Sequence, residues 1–528
     1  MADLYMILPG TPPAKGGAQN VGNKAWGLMR MAQAGLPVPP AFVLPTGWCG
    51  RTKPTDEPSL RQALADGITQ LETATELGFG AARKPLLVSV RSGGAVSMPG
   101  MMETVLNVGL NAETVEALIR MTGNPKLAWD SYRRLVQGYA EVVARLPSAP
   151  FDALIAAALQ QNEVENEREL DHGSLKTLTL AMLDCYRTLS GIIFPAEPAE
   201  QLSDAAAAVF RSWDAPKAAS YRRLNNISDD AGTAVTVQTM VFGNAGGESG
   251  AGVAFTRNPA TGASELYFDF QFNGQGEDVV SGRHQLRDKD RLRIVLPTAW
   301  AQLVGISHQL ETLFRDAQDF EFTIQSGVLF LLQTRRAKRT DWAALVIAVD
   351  MVQEGLLSPA EALEHLRHID LNTVVRTSFA LPVPETLAVA QVASMGVASG
   401  AVALDSDAVK RLSKAGLSAI LVRLETVTTD IEGMALAAGI LTASGGRTSH
   451  AAVVARQLGR VCLVACPGLE VDLKLRQCRI AGTVLNEGDL LSLDGNTGEV
   501  HLGSLAPLIE RPDRALDAIA TWRTTTTG

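Results

Sequence analysis

A histidine placed behind two glycines and two hydroxyl residues, with a helix-forming run after it, can carry a phosphoryl group. Residues 440–466 read ILTASGGRTSHAAVVARQLGRVCLVAC. Neutral imidazole is a nucleophile. Gly445 and Gly446 permit a tight turn. Thr448 and Ser449 are good helix N-caps, and the run from His450 to Leu458 has helical spacing with Gly459 as its stop. The spacing therefore predicts His450 in the first turn of a helix, where unpaired N–H groups and the helix dipole favour negative charge. A phosphate on His450 would be held by those N–H groups and by the Thr448 and Ser449 hydroxyls. The alternative for the same spacing is a histidine that only caps or packs a helix start.

Four further stretches could meet a polyphosphate. Lys24 lies in Gly22-Asn23-Lys24-Ala25-Trp26-Gly27, where a lysine can reach a phosphate as a point charge; a solvated helix-start lysine is the competing explanation. Arg91 follows the apolar strand pattern 86–90 and enters Ser92-Gly93-Gly94, a plausible phosphate cradle or else a plain hairpin. That loop matches neither of the two familiar glycine-rich nucleotide fingerprints. Residues 318–324 alternate acidic and apolar types, so period two places Asp319 and Glu321 on one strand face. Gly327 turns the chain, and the return strand ends in Gln333-Thr334-Arg335. Two carboxylates and an amide on paired strands, beside an arginine, can hold a magnesium ion against a polyphosphate; a half-buried strand with a solvated polar face is the alternative. Finally, Arg133 and Arg134 fall on a helical pattern, and adjacent residues do not share a helix face, so at most one should face a ligand.

These residues need scaffolding. Strand patterns occur at 1–9, 41–44, 86–90, 233–242, 251–255, 266–272, 318–324 and 328–333, and residues 111–220 are rich in Ala, Leu and Glu at helical spacing. Residues 243–252 hold five glycines and one glutamate, a loop between two of those strands. Residues 339–384 carry two helical patterns and read as a connector without a core of its own. Residues 392–505 alternate strand and helix signals around His450, and residues 506–522 read as a helical tail.

The chain has 528 residues, enough for about three domains, with 46% apolar and 20% charged residues. Its net charge of −9 argues against general nucleic-acid binding, without excluding phosphate held by local groups. No stretch reads as a signal peptide or membrane span. Five cysteines, an odd and sparse set, suggest reduced thiols and a cytoplasmic location. Cys462 and Cys466 flank a strand-like run with no zinc-spaced histidine following.

Together the stretches VSVRSGGAVSMPGMMETVLNVGL (88–110), YRRLNNISDDAGTAVTVQTMVFGN (221–244), GVAFTRNPATG (252–262), NGQGEDVVSG (273–282), QDFEFTIQSGVLFLLQTRRAKRT (318–340) and TTDIEGMALAAGILTASGGRTSHAAVVARQLG (428–459) are similar to the pyruvate, phosphate dikinases of the phosphoenolpyruvate-utilising enzyme family, in the family's order. The resemblance implies a multidomain protein of α/β and α+β class. Residues 1–110 and 221–340 would form an ATP-grasp nucleotide domain, interrupted by a helical insert at 111–220. A helical linker at 341–384 would lead to a swivelling phosphohistidine domain at 385–505 and a tail at 506–528.

The resemblance also assigns roles. His450 matches the phosphorylated histidine. Lys24 and Arg91 match groups that engage ATP phosphates, and Asp319, Glu321 and Gln333 match the magnesium and phosphate cluster. Asp278, Gly252, Arg335 and one of Arg133 or Arg134 match the surroundings of a second phosphate. Gln238, Met240 and Val241 match the segment whose backbone meets adenine. His450, Arg91 and Arg335 are the expected catalytic groups. The expected activity is an ATP- and magnesium-dependent phosphotransfer to His450, with ATP and phosphate giving AMP and pyrophosphate. An acceptor other than pyruvate, or a nucleotide-binding remnant without catalysis, are the alternatives. A homodimer is compatible with the resemblance.

Three departures stand out. The family usually has Gly-Gly-Lys-Gly around the lysine, and this chain has Gly22-Asn23-Lys24-Ala25. Before the histidine the dikinases usually have Met, and this chain has Arg447, as in phosphoenolpyruvate synthase; it would add positive charge beside a phosphohistidine. The family's third domain is a (β/α)8 barrel of about 250 residues that binds pyruvate, whereas 23 residues follow Leu505. A separate barrel chain is therefore an expected partner.

Overall fold

The computed structural model describes residues 4–49, 57–96, 98, 102–224, 226–276, 289–426, 430–445 and 450–526. Asp278, Arg447, Thr448 and Ser449 lie outside these residues, as does the side chain of His450. The chain divides into two compact units. One comprises 1–251, 295–306 and 320–335, and the other 252–294, 307–319 and 336–528.

The first unit is built on a five-stranded sheet in the order Tyr5–Ile7, Ala41–Leu44, Ala234–Thr239, Val88–Gly93, Thr104–Val108, with each neighbour antiparallel. Its central strands are buried along nearly their whole length, which suits a sheet covered on both sides. Between the strands Thr104–Val108 and Ala234–Thr239 the chain is helical: Ala112–Thr122, Pro125–Val142, Ala149–Gln161, His172–Ser190, Pro198–Arg211 and Pro216–Leu224. Local chemistry sets these ends. Asn111 and Thr114 form a reciprocal capping box, and Gly123 closes the same helix in the left-handed region. Asn124 caps the next helix, which starts on Pro125. Tyr139, Tyr186 and Phe194 pack edge-on or tilted in the core of this bundle.

A second sheet has the order Val328–Arg336, Gln318–Gln325, Gly250–Phe255, Tyr267–Phe272, and the division into units passes along the chain inside its strands. The hairpin between Gln325 and Val328 turns on two residues of positive φ, Ser326 (49°) and Gly327 (79°), the two-residue geometry that matches strand twist.

The second unit contains an eight-stranded sheet in the order Thr386–Val389, Glu499–Leu502, Leu490–Asp494, Val397–Ala403, Ala419–Arg423, Gly439–Thr442, Val461–Val464, Gln391–Ser394. The four strands from Val397–Ala403 to Val461–Val464 are mutually parallel. Helices Ser406–Lys414, Ile431–Leu436 and His450–Gln457 supply their crossovers. Separate apolar clusters cover the two faces of this sheet.

Residues 339–384 are not a coreless connector. Helices Asp341–Gln353 and Pro359–Leu366 bury Leu345, Ile347, Val349 and Met351 with Ala515 and Ile519 of the C-terminal helix Asp513–Thr526. The long-range partner, absent from the local pattern, is what makes this a core. The tail also begins differently from the sequence expectation: Pro507–Glu510 is a strand paired antiparallel with Arg376–Phe379.

Candidate functional site

The site in the first unit starts with backbone geometry. Helix Gly17–Gln33 is broken at Gly22, whose φ of 77° and ψ of 155° are non-helical. Just past the break, the Asn23 N–H donates to the Gly94 carbonyl (2.9 Å). The Asn23 side-chain amide donates to the Ala95 carbonyl. The asparagine that departs from the family's usual glycine therefore fastens the glycine loop after Arg91 to the turn that carries Lys24. At Gly27 an added Cβ would stand 3.1 Å from Thr334 Cγ2, so the same helix lies directly against the strand segment between Gln333 and Arg335.

These approaches bring four charged side chains together. Burial pushes the Lys24 ammonium down to about 8; Arg91 and then Arg335 lower it too, and Glu321 acts in the opposite sense. Lys24, Arg91, Glu321 and Arg335 are all only half-buried, so the cluster is sheltered while still open to a ligand. Three cations near Glu321 are groups of the kind that bind a polyphosphate. Asp319 and Glu321 share a strand face as the alternation predicts; Asp319 is 7% exposed. Gln333 lies on the neighbouring strand. Among the described residues no three His, Cys, Asp or Glu side chains gather as a metal cage. Within this unit the Glu321 carboxylate and the Gln333 amide are oxygen donors of the kind a hard cation takes.

Arg133 and Arg134 share one carboxylate partner, and Arg133 is held wholly within the protein, which agrees with the expectation that at most one of them faces a ligand. Asp130 lies one turn before both and takes both. Arg133 donates from Nη2 (2.9 Å) and Nε (3.3 Å) to one Asp130 oxygen, and Arg134 Nε donates to the other (3.0 Å). Arg133 also meets Gln137 and Glu167, and only 3% of its side chain is exposed. Arg133 is thus committed to the protein. Asp130 is a residue that the sequence reading missed; its spacing of three and four residues before two arginines is the signal that marks it.

Gln238 is 2% exposed within the five-stranded sheet, and its amide donates to the Pro39 carbonyl (3.4 Å). The Met240 N–H donates to the Leu87 carbonyl (2.9 Å), and the Phe242 N–H to the Gln325 side chain (2.7 Å). Val241 between them is half-buried. Gly252, which the resemblance sets beside the second phosphate, lies in the strand Gly250–Phe255.

In the second unit His450 is the first residue of helix His450–Gln457, between the parallel strands Gly439–Thr442 and Val461–Val464. Ala451, Ala452 and Ala455 bury the inner face of that helix. The incoming turn is tied down at Ser444, whose N–H and hydroxyl both donate to the Leu424 carbonyl (3.0 Å each). Gly459, at φ 62°, ends the helix as predicted. The five cysteines are free thiols, and no helix among the described residues is long and apolar enough to cross a membrane.

Residues 54–302 match the family described as pyruvate phosphate dikinase, AMP/ATP-binding domain, and residues 417–498 match the PEP-utilising enzyme, mobile domain. The chain is 42% identical over 509 residues to a pyruvate, phosphate dikinase of Clostridium symbiosum, covering 95% of this chain and 58% of that protein. It is 40% identical over 521 residues to one of Rhizobium meliloti (strain 1021), covering 94% and 58%. It is 42% identical over 492 residues to pyruvate, phosphate dikinase 2 of Zea mays, covering 92% and 55%. The chain thus spans a little over half the length of these relatives.

Proposed function

Because the chain belongs to the pyruvate, phosphate dikinase family of phosphoenolpyruvate-utilising enzymes, we propose that it transfers a phosphoryl group from ATP to His450. The observation that carries this reading is the convergence of Lys24, Arg91 and Arg335 with Glu321 in the nucleotide-binding unit. Lys24 and Arg91 hold the polyphosphate. A neutral His450 nitrogen attacks the β-phosphorus, an N–P bond forms, and the bond from that phosphorus to the oxygen bridging to the α-phosphate breaks, releasing AMP; inorganic phosphate then attacks the γ-phosphorus and the β–γ bridge breaks, releasing pyrophosphate. In the direction set by the family, the β-phosphoryl goes to His450 and the γ-phosphoryl to inorganic phosphate, leaving AMP and pyrophosphate. Arg91 and Arg335 offset the charge that builds on the transferring group. Asp319, Glu321 and Gln333 are the residues that would hold magnesium, which when bound supplies charge neutralisation on the phosphates. Backbone groups at Met240 and Val241 would meet adenine. The phosphate on His450 would then pass at a second site to an acceptor, pyruvate if a pyruvate-binding barrel is supplied.

The test is incubation with ATP labelled at the β-phosphate. The expected result is acid-labile label on the wild-type chain and none on His450→Ala. Label that survives His450→Ala, or label carried only from the γ-position, would overturn this assignment.

A further inference from the structure

The turn that follows Arg91 is gripped by two separate elements. The first is helix Gly17–Gln33, which meets three successive carbonyls of the turn. The Gly93 oxygen lies against Gly22, the Asn23 N–H donates to the Gly94 oxygen (2.9 Å), and the Asn23 side-chain amide donates to the Ala95 oxygen. Asn23 is itself exposed, so its amide has water within reach and bonds the turn instead.

The second element is the segment 212–229. Trp213 is 4% exposed, and its six-membered ring lies 3.8 Å from where a Cβ on Gly94 would stand. Met98 packs beside it, with Ala218. Trp213 is fixed in turn. Its indole N–H donates to the Asp229 carbonyl (3.0 Å), and the Arg222 guanidinium lies 4.2 Å over its ring. Arg222 also donates from Nη1 to the Trp213 carbonyl and from Nε to the Asp229 carboxylate (2.7 Å). From the same segment, Lys217 pairs with Glu103 (2.6 Å), whose N–H donates to Ser212 Oγ (3.5 Å).

A glycine turn without such ties samples many conformations, and fixing each residue costs about 1–2 kcal/mol of backbone entropy. Ties already made within the protein remove part of that cost from ligand binding. Glycine, the family's usual residue at position 23, has no side chain for the Ala95 tie and adds backbone freedom of its own.

We infer that Asn23 is a positioning residue. With Trp213 packed against the same turn, it presets Gly93–Ala95 in the shape that ATP meets beside Lys24 and Arg91. This rests on the nucleotide-binding part of the reading above, and adds to it a residue that the family pattern does not supply.

The experiment uses the full chain, and its main readouts need no phosphotransfer. ATP affinity is measured by calorimetry with magnesium, and amide hydrogen exchange at residues 92–96 is followed with and without ATP. Asn23→Gly is expected to weaken ATP binding about fivefold. It should also quicken exchange at 92–96 in the nucleotide-free chain, with saturating ATP restoring the wild-type rate. Folded Trp213→Phe should shift both readouts in the same direction. Asn20→Ala, on the same helix, loses side-chain bonds to the Tyr5 hydroxyl and the Lys15 carbonyl but none to the turn, and should move neither. Unchanged affinity or unchanged exchange in Asn23→Gly would overturn the inference, as would an equal loss in Asn20→Ala. Half-saturating ATP for phosphorylation of His450 should rise in step, with the rate at saturation within about twofold of wild type; a fall confined to the saturated rate would also overturn it. A wild-type chain that binds ATP, loses affinity and protection in Asn23→Gly, and yet forms no phosphohistidine would support the inference and refute the phosphotransferase reading.

Discussion

Gly22 and Gly93 approach so closely that a Cβ on Gly22 would stand 2.0 Å from the Gly93 carbonyl oxygen. Gly22 also holds a φ of 77°, a backbone region that other residues adopt only with strain. This contact sets the register between the helix that carries Lys24 and the strand that carries Arg91. Gly22→Ala would need both a new backbone conformation and a shift of the 93–94 segment. The expected outcome is loss of ATP binding by calorimetry together with a destabilisation of about 2–4 kcal/mol in urea unfolding. Gly17→Ala, at a position where an added Cβ meets nothing within 4 Å, isolates the contribution of positive φ alone.

Lys24 gives the site a pH signature. Its folded pKa of about 8 lies below the ordinary lysine value of 10.5, chiefly through burial and the Arg91 charge. A polyphosphate beside it favours the ammonium and raises that pKa. ATP binding near pH 8.5 should therefore take up protons, seen as a binding heat that depends on the ionisation enthalpy of the buffer. Lys24→Met should abolish that dependence and weaken binding.

The same shift fixes the sign of a stability effect. Between about 8 and 10.5 the unfolded chain binds the Lys24 proton and the folded chain does not. The penalty of burying the ammonium is thus complete below the folded value and relieved as pH rises through this window. The stability of wild type relative to Lys24→Met should climb from pH 8 to 10 in urea titrations; a flat difference would contradict the burial of this group.

In the second unit, Arg257 is 1% exposed and donates from Nε and Nη2 to Glu311 (2.9 Å each), with Glu354 on its outer side. Burial lowers the guanidinium pKa, but the hydrogen bonds and charges of Glu311 and Glu354 outweigh it and hold the net value above the usual range. Glu311→Ala leaves that cation buried with half its partners. The expected cost is about 3–5 kcal/mol in denaturant unfolding, whereas Glu354→Ala, at a side chain 39% exposed, should cost clearly less.

The placements that were legible have local signals. Asp319 and Glu321 share a strand face because period-two alternation needs only neighbouring residues, and Arg91 lies in a strand leading to Gly93 and Gly94 as the apolar run before it predicts. What escaped depends on distant partners. The strand Ala234–Thr239 enters the sheet between Ala41–Leu44 and Val88–Gly93, and no local pattern states that order. The close approach of Gly22 to Gly93, and the core that Ile519 completes for residues 341–366, arise the same way. Asp130 was missed for a different reason. Adjacent arginines were expected on different faces, but residues three and four positions on both neighbour the same helical side chain, so one carboxylate can take both.

The central claim is settled most directly by intact-protein mass measured at neutral to alkaline pH after incubation with ATP, magnesium and phosphate. A gain of one phosphoryl group, mapped to the peptide that contains His450 and lost on brief acid treatment, is the predicted result. No gain, or a gain retained in His450→Ala, would contradict it.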